Sequence, residues 1–148
     1  MKALLLLFVM FVVLPLSAAA QGGSGSGRGT GGGGGQEEPR YNTATVATFE
    51  GLVSTISSHT GKRGTPRSRV TLKTNDGSVL IHIGPTAFLD FKGFHPAVGD
   101  HFVVIGSKVK EDDGSEMVIV RQITRGKTVL MMRNEEGRPL WDEKFKGR

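Results

Sequence analysis

The sequence predicts a small all-β barrel of five or six strands with one short helical segment, preceded by a glycine-rich leader. From Tyr41 onward, short runs rich in Val, Ile, Thr and Phe alternate with glycine-bearing turns about every 10 residues. No window in this part shows a 3.6-residue apolar period over more than two turns. The 108 residues from 41 to 148 suffice for one hydrophobic core but not for two.

The first 20 residues have the pattern of a cleavable secretory signal. Lys2 precedes an apolar run from Ala3 to Leu14, and Ala18 and Ala20 form an A-x-A site. We therefore expect cleavage after Ala20 and a periplasmic or secreted protein. The apolar run is shorter than the about 20 residues that span a bilayer, so no transmembrane span is expected after cleavage. An uncleaved anchor is the alternative.

Residues 21–40 are predicted to be a disordered glycine-rich linker before the barrel domain at 41–148. Ten of the sixteen residues from 21 to 36 are glycine, which leaves nothing apolar to offset the entropy of ordering the backbone. The chain contains no cysteine, so disulfides, thiolate metal sites and thioether-linked haem are excluded. The domain has 16 basic and 12 acidic residues, a net charge of +4 that is scattered along the sequence.

The first half of the domain contains a long strand and a hairpin. Gly51 interrupts the run ATVATFEGLVSTIS, and a glycine inside a strand indicates a sharp bend, so we expect this strand to serve two sheets. After the polar loop SHTGKRGTPRS, the runs RVTLKT and SVLIHI flank Asn75, Asp76 and Gly77. Asp-Gly between two alternating runs is a strong hairpin signal.

The second half begins with GPTAFLDFKGFHPAVGD, which has room for a helical turn at 86–91 and carries phenylalanines that plug one end of the sheet. The runs HFVVIGSKV and EMVIVRQIT then form a second hairpin around EDDGS. A final strand, TVLMMRN, leads to Trp141, which is expected to pack on the body of the domain.

This order of elements matches the five-stranded Greek-key barrel of the OB-fold, with a sixth strand appended. The phrases IHIGP, VGDHFVVIGS and GRPLW, within the stretch from Phe49 to Trp141, resemble small exported bacterial OB-type domains, including the domain of magnetosome proteins of the S and X type. The resemblance implies the fold and says little about activity. The CxxCH haem motif of the X-type proteins is absent, so their electron-transfer role is not implied, and no cofactor is expected.

The second and third strands supply the predicted binding surface. A period of two along SVLIHIG turns Val79 and Ile81 towards the core and His82 outward, onto the wall that OB-folds commonly use for ligands. The turn at residues 110–115 is expected to aid recognition. The alternative is a solvated sheet face that needs only polar residues. The predicted partner-binding residues are Lys62, Arg63, Arg67, Arg69, Thr71, Lys73 and His82.

Other chemistries have weaker support in the sequence. Nucleic acid is disfavoured because neither hairpin strand turns an aromatic side chain outward for stacking. His82, His95 and His101 are weak metal candidates, since no ligand spacing is present. The acidic turn at 111–116 lacks the ligand pattern of a calcium loop. No nucleophile elbow or phosphate-binding loop appears, so the chain is not expected to be an enzyme.

The sequence therefore predicts an exported, non-catalytic binding or assembly module. We expect its outer sheet face to recognise a protein or cell-envelope partner, with pairing along an edge strand as a further route. Two alternatives remain open: a metal-responsive module using His82, His95 or His101, and a polyanion or nucleic-acid binder using the basic loop 62–69. The oligomeric state is not predicted.

Overall fold

The computed structural model describes residues 40–61 and 63–145. The predicted signal peptide at 1–20 and residues 21–39 of the predicted linker lie outside the described residues. The strands are β1 (Val46–Thr60), β2 (Pro66–Thr74), β3 (Gly77–Pro85), β4 (His101–Lys110), β5 (Glu116–Arg125) and β6 (Thr128–Met131). The helix α1 (Thr86–Phe91) follows β3, and short 3-10 turns lie at Thr43–Thr45 and Glu143–Phe145.

The strands form a closed barrel with one strand added. The sheet order is β3-β2-β1-β4-β5-β6, and neighbours in this order pair antiparallel. A parallel pairing of β3 with β5, in which His82 lies opposite Ile119, closes the first five strands into a cylinder. β6 extends the sheet beyond β5. This arrangement confirms the predicted OB-like Greek-key barrel with a sixth strand and a helix between β3 and β4.

Gly51 marks the point where β1 changes partner. Residues Val46 to Leu52 pair with β4, and residues from Leu52 to Thr60 pair with β2. A Cβ atom at Gly51 would collide with the carbonyl oxygen of Lys73, so the close approach of the two backbones requires glycine here. The first strand was predicted to serve two sheets; it does pair with two different strands on either side of Gly51, but both belong to one continuous six-stranded sheet.

The core fills the inside of the cylinder and is closed at one end by aromatic side chains. The inward positions of β2 and β3, such as Val70 and Ile81, are fully buried, as the period of two predicts. Val79 is half-buried and packs against this core. Phe88 of α1 and Trp141 lie at the closed end and are both buried, which confirms the predicted packing of Trp141.

Within the described part of the chain, no helix is long and apolar enough to cross a membrane.

Candidate functional site

The outward-facing side chains of β2 and β3, together with those at the start of β5, form a surface that we call the outer wall. Register places its side chains in rows across the strands. One row contains Arg69, His82 and Ile119; the next contains Thr71, Leu80 and Met117. The turn between β4 and β5, residues 111–115, lies at the edge of this wall. OB-folds bind ligands on the face of these strands and with the loops beside it.

His82 lies on the outer wall but is buried beneath it. Its neighbours in the strand, Ile81 and Ile83, belong to the core, so alternation puts His82 on the opposite face. The expectation that His82 faces water is nevertheless wrong, because the residue is only 5% exposed. Arg69 lies opposite it in the register and donates a hydrogen bond from Nε to Nδ1 of His82 at 3.3 Å. His82 can therefore contribute to binding only through Arg69.

The His82 ring is neutral and its tautomer is fixed. Because Nδ1 accepts a hydrogen bond from Arg69, the proton of the neutral ring resides on Nε2. Burial and, to a smaller extent, neighbouring basic side chains together lower the pKa of His82 from 6.5 to about 3. The neighbouring side chains that contribute are Arg69, Arg67, Arg133 and His59. The outer wall is thus a basic surface built around an uncharged imidazole.

Arg69 also binds a carboxylate of the β4–β5 turn. Its Nη2 donates to Oε1 of Glu111 at 2.9 Å, and the two side chains are 16% and 23% exposed. Glu111 begins the turn, where its backbone N–H donates to the carbonyl of Ser115 at 2.8 Å. The contact between Glu111 and Arg69 joins residues 42 positions apart. The turn was predicted to aid recognition, but no local sequence signal identifies Glu111 as the partner of Arg69.

The remaining predicted site residues divide between the two ends of β2. Arg63 is exposed in the loop before β2, and the half-buried Arg67 lies opposite His59 in the register. Lys73 is exposed near the far end of β2, roughly 13 Å along the strand from Arg69 at about 3.3 Å per residue. Thr71 lies between them and is half-buried. Lys62 lies outside the described residues.

The structure does not bring the candidate metal-binding histidines together. His95 pairs with Asp90, with 3.4 Å between Nδ1 and Oδ1, and His101 pairs with Glu50, with 3.0 Å between Nε2 and Oε1. His82 instead contacts Arg69. Among residues 40–61 and 63–145, no group of three or more His, Cys, Asp or Glu side chains is arranged to hold a metal ion. The metal-responsive alternative therefore lacks a common site.

The closed barrel and the helix between β3 and β4 define an OB-type domain. The model of the MamS/MamX magnetosome protein family matches residues 45–130, from the start of β1 into β6, and the chain belongs to this family. The match confirms the resemblance seen in the sequence and identifies a magnetosome-associated protein domain. No curated protein matches the chain.

Proposed function

We propose that this chain is an exported, non-catalytic module that recognises a protein partner through its outer wall. The observation that carries the proposal is the concentration of positive charge there: Arg67 and Arg133 lie close enough to His82 to lower its pKa, and Arg69 contacts it directly. Clustered charge of one sign steers encounter with a partner of opposite charge and selects against others. Export is supported by the signal-like residues 1–20, and a binding role by the lack of a catalytic motif.

The wall also has the framework that a recognition surface needs. It is built on paired strands, and its central arginine is held by the ring below and the turn beside it. A side chain that is already fixed loses little conformational freedom when a partner binds. The exposed Arg63 lies in the loop before β2, and the exposed Lys73 lies near the far end of β2.

Affinity capture from the native cell envelope tests this proposal. The full chain is compared with Arg63→Glu, Lys73→Glu and the control Lys127→Glu, which changes the same charge in the exposed turn at the opposite end of β5. Because all three positions are exposed, folding should be unaffected. We expect Lys73→Glu, on the wall, and Arg63→Glu, in the loop before β2, to lose proteins that the chain and the control both capture. An identical set of captured proteins from all four would contradict a role for the wall.

Export has a separate test. The mass of the protein isolated from the native envelope should correspond to a chain that begins at Gln21. A mass that includes residues 1–20 would show a retained anchor instead.

A further inference from the structure

We propose that the outer wall binds an acidic segment of the partner protein and that Glu111 is an internal competitor, which occupies Arg69 until a carboxylate of the partner replaces it. This inference rests on the proposed function and adds to it the chemistry of the partner and a means of regulating access.

The guanidinium of Arg69 is oriented by the buried His82 ring and by Glu111. Its Nε donates to Nδ1 of the buried, neutral His82, and its Nη2 is directed to Glu111. A protonated imidazole could not accept this hydrogen bond and would repel the guanidinium. The neutral ring therefore fixes Arg69 without neutralising it. An arginine held in one orientation is well suited to recognise a carboxylate, since its planar donors match the carboxylate oxygens.

Glu111 is placed so that a competing carboxylate can displace it. It is partly exposed and lies at the start of a turn whose next four residues are all exposed. The ion pair runs through one nitrogen of Arg69, at 2.9 Å. Partly exposed ion pairs of this kind are weak and are screened by salt. The turn keeps an alternative contact for the released side chain, because Ser115 Oγ lies 3.3 Å from Oε2 of Glu111.

The charges around Arg69 favour an anionic partner even though the turn itself is acidic. Arg67 lies two residues away on the same strand, and Arg133 contributes to the positive field at His82. At the start of β5, the Glu116 carboxylate is already paired with Lys108 of β4 at 2.8 Å. Asp113 accepts a hydrogen bond from the backbone N–H of Ser115 at 2.8 Å. Asp112 is exposed, and Glu111 is the carboxylate of this segment that contacts Arg69 on the wall.

A peptide carboxylate fits the wall better than the other anionic macromolecules do. Residues 66–85, which form β2 and β3, contain no Phe, Tyr or Trp, so nucleic-acid bases would find no platform for stacking. Insertion into a membrane surface requires protruding apolar side chains, whereas Met117 and Ile119 on the wall are buried. Arg69 already holds a protein carboxylate, so the required geometry is present.

Titration of a labelled oligo-glutamate peptide against the full chain at low salt tests the proposal. The decisive variant is Glu111→Gln, which keeps the shape of the side chain and removes the competing charge. Its matched control is Asp112→Asn, an equal change of charge at the exposed neighbouring position. We expect Glu111→Gln to bind the peptide about five- to tenfold more tightly and Asp112→Asn to change affinity by less than about twofold.

A third variant identifies the residue that receives the peptide. Arg69→Gln should lower peptide affinity about tenfold or more, and in its background Glu111→Gln should no longer increase affinity. Circular dichroism establishes whether Arg69→Gln is folded. If it is not, the comparison of Glu111→Gln with Asp112→Asn decides alone.

Several results would overturn the inference. Equal tightening by Glu111→Gln and Asp112→Asn would show a general effect of charge, and no tightening by Glu111→Gln would exclude an internal competitor. Binding of phosphatidylglycerol vesicles without binding of the peptide would assign the wall to a membrane. These titrations use purified protein, so their failure is distinguishable from failure of the proposed function, which the envelope capture tests.

Discussion

The outer wall and the closed end of the barrel both exclude water, but they do so by different means. At the closed end, aromatic rings pack on one another: Phe88 lies 6.0 Å from Trp141 and 5.3 Å from Phe145, measured between ring centroids. On the wall, the buried group is a polar imidazole covered by Arg69, which is held in turn by Glu111. One region depends on buried apolar area and the other on directional polar contacts.

This difference predicts which perturbation each region resists. The stability that aromatic packing contributes depends on the buried volume and area and does not depend on protonation. The contacts of the wall depend on the charge state of each member, because a buried polar group is tolerated only while its hydrogen bonds are made. Acid should therefore destabilise the protein through the contacts of the wall, and loss of side-chain volume should destabilise it through the packing of the closed end.

The largest expected effect is acid destabilisation through His82. Its folded pKa, about 3, lies below the ordinary value of 6.5, so the unfolded chain takes up a proton first as the pH falls. Stability from the neutral ring is complete above pH 6.5, declines below it and levels off near pH 3. The difference between the two pKa values corresponds to a loss of unfolding free energy on the order of 5 kcal/mol. Urea unfolding measured across this range of pH should show the decline.

The control for this prediction is His82→Asn, which retains an acceptor for Arg69 and removes the titrating group. Its unfolding free energy should fall less steeply with acid than that of the native chain. Equal pH dependence of the two proteins would show that His82 is not the group responsible.

The second prediction concerns volume at the closed end. Phe94 is buried and its ring lies 5.8 Å from that of Phe102, so Phe94→Ala should cost about 3 to 5 kcal/mol of unfolding free energy. The loss should be the same at neutral and acidic pH. Phe91→Ala is the matched control because Phe91 is 66% exposed, and it should cost less than about 1 kcal/mol. A Phe94→Ala variant as stable as Phe91→Ala would contradict the assigned core.

Most of the fold could be predicted from the sequence because its signals are local. Strand alternation, the Asp-Gly turn and the interruption at Gly51 each depend on neighbouring residues, and each corresponds to a feature of the barrel. The burial of His82 could not be predicted from such local signals. Alternation gives the face on which a side chain lies, whereas burial on that face depends on Arg69 and Ile119, which reach it from other strands.

Glu111 illustrates the same limit. Its sequence context, EDDGS, describes a hairpin turn completely, and nothing nearby indicates a partner on β2. The ion pair arises only because closure of the cylinder brings the β4–β5 turn to the outer wall. The binding residues of β2 could be proposed from alternation, but the carboxylate that occupies them required the tertiary structure.

The smallest expected change in unfolding free energy comes from comparing two arginines that each bind a carboxylate. Arg125 donates to Asp100 at 3.0 Å and its guanidinium lies 4.4 Å from the centre of the Phe94 ring, with side-chain exposures of 31% and 23% for the ion pair. Burial alone would raise the pKa of Asp100, but the backbone N–H of Ala97 and the charge of Arg125 lower it below its ordinary value.

Removal of Arg125 leaves Asp100 with the Ala97 contact and access to water, so Arg125→Gln should cost only about 1 kcal/mol. Its contribution should be present above the ordinary Asp pKa of 3.8 and be lost as the pH falls through the lower folded value. Arg69→Gln should cost more, about 2 kcal/mol at neutral pH, because it deprives the buried His82 of the donor to Nδ1. Urea unfolding of both variants measures the difference. If Arg125→Gln proved the more damaging, the directional contacts of the wall would contribute less to stability than a partly exposed ion pair beside an aromatic ring.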